Sequence, residues 1–420
     1  MTAKREEHIS QDRRLRVAML CSTCDGEDVG ESWSCFQWAS GMAEHCDLTV
    51  LTYTKRGHTP TSKQLKNARV IEWSDTPILG RHERFSAGAK PGWWFFYWRA
   101  RRWLKKAIRR GEHFDLIHQV SPLALRHACP AAGLGVPYII GPLAGSIPTP
   151  PAFRSEVSAG AWYTRLRALD GLRFQYDPLL RRGYAGAAAV IGVAPYVAEI
   201  LKPIPIRRFE VMSETGVHTL PDPIDRSTRS PGPLRLLYVG RIVRTKGLRD
   251  AIRALAQLPE DCPVHLDVLG DGDDRHACEE EVVKLGVGDR ITFHGKVPRE
   301  RVNEFYRNAE VFLFPSFREP SGNVVFESMS FGLPVITTKN GGPGFVVDET
   351  CGIRIDPVQS HQFAADIAAA IKQLSEDDDL RLRLGVEARK RIESIALWPH
   401  KIEWMADLYR QVLEAERATP

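Results

Sequence analysis

Short apolar runs alternate with longer amphipathic stretches along the whole chain. Leu15–Leu20 (LRVAML) reads as a first strand. Leu48–Thr52, Ala68–Trp73, Phe114–Val120, Val136–Ile140, Ala188–Val193 and Phe209–Ser213 follow it. Apolar runs of this length, separated by helical stretches, predict a mostly parallel sheet covered by helices on both faces. The alternation breaks at Leu220–Pro233 (LPDPIDRSTRSPGP), which holds four prolines and no apolar period and so reads as a linker. It then restarts: Leu234–Val239, Val264–Leu269, Arg290–Phe293, Glu310–Phe314, Leu333–Thr337 and Gly352–Ile355 are predicted strands. Ala364–Leu374, Leu380–Ile392 and Lys401–Glu416 are predicted helices, the last of them amphipathic.

The predicted fold class is α/β, with two doubly wound Rossmann-like domains in tandem. A polar tail covers 1–14, the first domain 15–220, the linker 221–233 and the second domain 234–395. A C-terminal helix over 396–420 is expected to pack back toward the first domain. Ligands of such sheets bind at the carboxyl ends of the strands, so two sheets facing each other place a site in the cleft between them.

Composition narrows the field. A chain of 420 residues is too long for one core at roughly 100–200 residues per domain. With 43% hydrophobic and 26% charged residues, it is neither collagen, nor a disordered chain, nor a polytopic membrane protein. Lys plus Arg is 57 and Asp plus Glu is 52, a net charge of +5 that does not by itself point to nucleic acid. Residues 1–14 contain no apolar stretch of the secretory type, and no apolar run approaches the ~20 residues of a membrane span. A cytoplasmic protein is expected. The eight cysteines include Cys21 and Cys24 in a C-x-x-C, but no second pair or His pair completes a zinc site. A redox pair would open a helix in a much smaller unit, so reduced structural thiols are expected.

The sharpest segment is Pro315–Ile336, PSFREPSGNVVFESMSFGLPVI. A strand leads in, a Pro-Ser-Gly turn follows Glu319, and a helix starts near Ser321. Glu319 then sits at the helix mouth and Glu327 about two turns inside. The free backbone N–H groups of Gly322, Asn323 and Val324 favour an anion, phosphate above all. Carboxylates repel phosphate, so the two Glu suit neutral hydroxyls of a sugar or ribose. The bland alternative is one dipole-favoured Glu and one solvated Glu. In Leu237–Leu248 (LYVGRIVRTKGL), a strand ends at Gly240, Arg241 follows it, and Lys246 precedes a helix. Two cations at that sheet edge can neutralise a pyrophosphate, Arg bidentately and Lys as a point charge. Taken alone they are ordinary basic loop residues.

RIVRTKGL, LGDGDDR and REPSGNVVFESMSFGLPVI, in that order, resemble glycosyltransferase family four, the retaining family with the GT-B fold. The resemblance is strong over 234–375 and looser before it. It implies that Arg241 and Lys246 grip the diphosphate of a UDP- or GDP-sugar donor. It also implies that Glu327 binds ribose hydroxyls, that Glu319 binds the donor sugar, and that the GKVPRE loop with Val297 lies against the base. The family's Gly-Gly-x-Pro-Glu is replaced here by Gly341-Gly342-Pro343-Gly344-Phe345, so that acidic contact is missing. In the first domain, which the resemblance makes the acceptor side, Gly30 is expected near the diphosphate and His118 near the donor sugar. The alternatives are a flexible turn and a structural histidine. Gly141–Ser146 (GPLAGS) is expected to face the acceptor.

No Asp-x-Asp metal motif occurs in a plausible site loop, and no cofactor is expected: Arg241, Lys246 and the helix mouth can supply the positive charge. The resemblance implies same-face attack assisted by the departing phosphate, with Glu319 positioning the donor rather than forming a covalent bond. The acceptor is expected to be lipid-linked or a glycan in envelope or exopolysaccharide synthesis, with a soluble metabolite as the alternative. A GT-B sugar-nucleotide 2-epimerase and a catalytically silent binding subunit are the remaining readings.

Pro91–Arg110 (PGWWFFYWRARRWLKKAIRR) carries one further signal. On a helix, Trp93, Phe96, Tyr97, Ala100, Trp103, Leu104, Ala107 and Ile108 form one stripe. Trp94, Phe95 and Trp98 fall outside it, among basic residues that include Arg101, Arg102, Lys105 and Lys106. That mixture suits an anionic membrane surface; packing on the first sheet is the plain alternative. No nucleic-acid motif accompanies it.

Overall fold

A computed structural model describes residues 13–74, 92–157, 170–227 and 232–418. The first twelve residues of the polar tail, Pro91 and linker positions 228–231 lie outside the described residues.

Two parallel sheets form. The first contains β1 (Arg16–Thr23), β2 (Asp47–Thr54), β3 (Ala68–Ser74), β4 (Leu116–Gln119), β5 (Tyr138–Leu143), β6 (Ala189–Gly192) and β7 (Phe209–Val211). Its spatial order is β3-β2-β1-β4-β5-β6-β7. The second contains β8 (Leu234–Val239), β9 (Val264–Leu269), β10 (Ile291–Gly295), β11 (Val311–Phe314), β12 (Val335–Thr338) and β13 (Gly352–Ile355), in the order β10-β9-β8-β11-β12-β13. Both orders reverse beside the first strand of their sheet, the doubly wound pattern. The GT-B arrangement expected from the sequence is what forms. Strands such as β11, β12 and β6 are buried at every residue, which is why they read as unbroken apolar runs.

The C-terminal helix, Trp398–Ala418, returns to the first half. Its Trp398, Ile402, Met405 and Tyr409 share a buried cluster with Trp38 and Met42 of the first helix, Glu31–His45. Gly41 permits the contact, because a Cβ there would lie 2.5 Å from the Ile402 side chain. The crossing strands are joined directly: Val217 N–H donates to the Ala396 carbonyl at 2.9 Å, and Trp398 N–H to the Val217 carbonyl at 3.0 Å.

A second tie runs the other way. Pro151–Val157, from the first half, packs onto the second. Phe153 is fully buried in the second core, stacked on Phe317 at 4.3 Å between ring centroids. Glu156 accepts from Arg244 Nε at 2.9 Å.

All eight cysteines are free and buried. No described helix is long and apolar enough to cross a membrane. The basic helix, Gly92–Arg109, buries Trp93, Phe96, Tyr97, Ala100, Leu104 and Ala107. Trp103 and Ile108 are half-buried. Trp94, Phe95 and Trp98 stay exposed, Trp98 to 61%. One basic residue departs from the expectation of a free cationic face: Arg101 Nη1 donates to the carbonyls of Pro130 and Ala132, each at 2.7 Å. Its charge is tied to the loop after β4.

Candidate functional site

A cleft of about 1400 Å³ opens between the two halves. Its second-half wall starts at the carboxyl end of β8. Gly240 and Arg241 line it there. Gly240 lies so close to the neighbouring strand end that a Cβ on Gly270 would come 1.9 Å from its carbonyl oxygen. A single helical turn, Arg244–Lys246, then leads to Gly247 at φ 78°, which opens the helix Leu248–Leu255. Here a side chain is barred twice, by the left-handed backbone and by the Pro315 carbonyl 2.0 Å from where a Cβ would sit. Arg244 bonds Asp250 bidentately, at 2.6 and 3.0 Å, and locks the turn that presents Lys246.

Lys246 Nζ forms an ion pair with Glu319 and lies 5.0 Å from the Phe314 ring centroid. Burial pushes the Lys246 ammonium down to about 7, and the nearby Arg241 charge adds to the shift. The Glu319 carboxylate in contact with it acts in the opposite direction and favours the charged form. Glu319 also accepts the backbone N–H groups of Ser321, at 3.4 Å, and Gly322, at 3.2 Å. This corrects one expectation. Gly322 N–H is not free at the helix mouth: the Glu319 carboxylate caps it, and the helix begins at Asn323 (Asn323–Ser330). Ser321, Gly322, Asn323 and Val324 all line the cleft beside it. The Glu319 backbone is fixed in turn by Gly342 N–H, which donates to its carbonyl at 3.1 Å.

Glu327 lies deeper on the same helix and is not among the cleft-lining residues. Tyr306 O–H donates to its Oε2 at 3.1 Å, and burial raises its proton affinity above the usual carboxylate range. Val297 packs against the second core rather than lining the cleft. Gly30, at φ 65°, is the exposed residue preceding the first helix; its neighbour Glu31 is the one that lines the cleft.

His118 is the clear correction. It is fully buried and does not line the cleft. Its Nε2–H donates to the Gly141 carbonyl at 2.7 Å, and Tyr409 O–H donates to Nδ1 at 2.5 Å. Both nitrogens are used by the fold, and burial lowers its pKa to about 4. The histidine that does line the cleft is His127, beside Arg126, in the loop after β4. Arg126 pairs with Asp170 at 2.9 Å, and Ser146 Oγ donates to the same carboxylate at 3.0 Å. Gly145 and Ser146, at the end of the GPLAGS segment, line this wall. Arg126, His127, Asp170, Arg318 and Glu214 were not found from sequence. Their one legible signal was position: Arg126, His127 and Glu214 follow the carboxyl ends of β4 and β7.

Two family models match the chain in succession. A glycosyl transferase 4-like domain covers residues 30–213, and the glycosyl transferases group 1 model covers 223–391. The chain belongs to the group 1 glycosyl transferases. The lipopolysaccharide core biosynthesis glycosyltransferase LpsE of Rhizobium meliloti is 30% identical over 226 residues, 54% of this chain and 62% of LpsE. The match thus spans about three fifths of that relative. Among solved structures, sucrose-phosphate synthase from Thermosynechococcus elongatus aligns over 96% of this chain and all of its own, with a TM-score of 0.64 at 20% identity. Anabaena HepE in complex with UDP aligns over 94% of this chain and all of its own, with a TM-score of 0.62 at 17% identity. At these identities the two structures speak for the fold.

Proposed function

We propose that the protein is a retaining glycosyltransferase that moves a sugar from a UDP- or GDP-sugar to a lipid-linked or glycan acceptor. The observation that carries this reading is the convergence of Arg241, Lys246 and the mouth of the Asn323–Ser330 helix on one wall of the cleft. Cations and a helix N-terminus each favour a phosphate, and together they suit a diphosphate. The UDP bound by HepE and the lipopolysaccharide role in the name of LpsE support the donor class and an envelope acceptor.

In this reading the donor diphosphate takes Lys246 from Glu319. The released Glu319 carboxylate then receives hydroxyls of the transferred sugar, and we assign the ribose to the side of Glu327, one turn into the helix and behind the cleft lining. The anomeric carbon–phosphate oxygen bond breaks as the acceptor oxygen bonds to the same face of that carbon. The acceptor proton passes to the departing phosphate, whose growing charge Arg241 and Lys246 stabilise from fixed positions. Metal is not required for that stabilisation.

The test is slow donor hydrolysis and transfer across a panel of UDP- and GDP-sugars. Arg241→Ala and Lys246→Ala should each lower turnover by ~10²-fold or more. EDTA should change the rate by less than about twofold. A protein that neither binds nor hydrolyses any donor overturns the reading, and activity lost to EDTA and restored by Mg²⁺ or Mn²⁺ overturns the assignment of the cations.

A further inference from the structure

Glu214 lies three residues beyond β7, where the chain leaves the first sheet. It is only 5% exposed, yet its side chain lines the cleft. One carboxyl oxygen, Oε2, has no hydrogen-bond partner, while Ser321 at the mouth of the donor-side helix bonds to the carboxylate. Buried polar atoms are nearly always satisfied, and an orphaned carboxylate oxygen costs the fold more than a neutral one does.

The position is imposed from behind. Lys401 Nζ, on the C-terminal helix, donates to the carbonyls of Ser213 at 2.6 Å and Thr215 at 2.5 Å, on either side of Glu214. The Trp38 indole N–H donates to the carbonyl of Glu214 itself at 3.1 Å. Lys401 is held between the rings of Trp38 and Trp398, at 5.3 and 5.2 Å. The backbone on both sides is fixed to the helix packing, and the side chain is left facing the cavity. Burial raises its proton affinity; Ser321 and Lys401 act against the shift and the charge of Glu31 adds to it.

We propose that Glu214 is an acceptor contact whose Oε2 takes the hydrogen of a sugar hydroxyl. The inference rests on the transfer reading above and names a residue of its acceptor side. A phosphate would be repelled by this carboxyl and by Glu31, and the diphosphate cations stand on the other wall. A neutral hydroxyl donates a hydrogen bond to the orphaned oxygen without adding charge. Glu214 comes from the first half, as do Gly145 and Ser146 of the same cleft, and its bond to Ser321 reaches across to the donor side.

The experiment uses the full chain with UDP-glucose and GDP-mannose as donors. Methyl α-glucoside, α-galactoside and α-mannoside serve as acceptor probes. Donor hydrolysis by water, transfer to the glycoside and UDP affinity by calorimetry are read separately. Glu214→Ala is expected to raise the glycoside KM at least tenfold, with donor hydrolysis and UDP affinity within threefold of wild type. Glu214→Gln keeps the shape and one acceptor oxygen, and should raise that KM at least threefold; it carries the test if the alanine variant fails to fold. Hydrolysis and transfer falling together would make Glu214 a donor or folding residue and overturn the assignment. An unchanged glycoside KM would overturn it as well, as would a wild type that hydrolyses donor but uses none of the three glycosides. A wild type that binds no donor would instead overturn the transfer reading and this one with it.

Discussion

A proton added to His118 would charge a fully buried ring, and that burial disfavours it, although the bond to the Gly141 carbonyl acts the other way. Tyr409, which bonds the other ring nitrogen, lies 291 residues further along the chain, so nothing local to DLIHQ could reveal that contact. The strand end was legible there, but the closing partner was not. The sign of the resulting pH dependence follows from linkage. An ordinary histidine takes its proton near 6.5, and this one, in the folded chain, only near 4. Between those values the unfolded state binds more protons, so stability falls as pH drops from 6.5 toward 4, by about 3 kcal/mol from this residue. His118→Gln removes the titration. The variant should be less stable than wild type at pH 7.5, and the gap in denaturant unfolding should shrink by about 2–3 kcal/mol near pH 4.5. A gap that stays constant over that range would show that His118 titrates normally. Glu319, Arg241 and Lys246 were legible from sequence because one loop and one helix mouth carry them. The capping of Gly322 by Glu319 was not, since it depends on a side-chain rotamer.

The strands were the easiest elements to read. Gly352–Ile355 has the predicted limits, and Leu234–Val239 and Val264–Leu269 likewise, because each keeps an apolar majority even where Arg354, Arg235, His265 and Asp267 interrupt it. The loops that build the first-half wall have no period, and which of them meet is decided by docking of the two halves. The basic helix falls between these cases. Its buried stripe was legible, while the engagement of Arg101 by two loop carbonyls was not. Arg102, Lys105, Lys106 and Arg109 are exposed, beside exposed Trp94 and Trp98. The prediction at this scale is reversible binding to anionic liposomes. Each cation at a charged surface contributes about 1 kcal/mol, and the effect fades as the Debye length falls to ~3 Å at 1 M salt. Changing Arg102, Lys105, Lys106 and Arg109 to Gln should abolish co-sedimentation with anionic vesicles at low salt without moving the thermal transition. Arg101→Gln should lower that transition instead. Wild-type protein left in the supernatant with anionic vesicles at low salt would reduce the helix to a packing element and weaken the lipid-linked acceptor.

Across the whole molecule, two of the ties between the halves differ in chemistry. One is the crossing near Val217 and Trp398, held by backbone hydrogen bonds and by Lys401. The other is the Pro151–Val157 segment, held by Phe153 in the second core and by the Glu156–Arg244 bond. Arg318 Nη1 adds a bond to Thr149 Oγ1 at 2.7 Å, so the first-half wall of the cleft is fastened to the donor side. The Phe153 ring is the larger part of that tie. It touches Phe317 and Phe363, and the Arg244 guanidinium lies 5.5 Å from its centroid. Emptying such a site costs about 3–5 kcal/mol. In a chain of two domains this is better read as the midpoint of one transition than as a global free energy. Phe153→Ala should lower the melting of the second half by roughly 6 °C or more, taking about 2–4 °C per kcal/mol for domains of this size. Glu156→Gln should cost less than half as much, because Arg244 keeps both bonds to Asp250. Phe153→Ala should also slow transfer more than donor hydrolysis, since the loop it releases carries the first-half wall and not Arg241 or Lys246. If Phe153→Ala melts with wild type and transfers at the wild-type rate, the ring fills space without fastening the halves. The crossing at Val217 and Trp398 would then be the tie that sets the cleft.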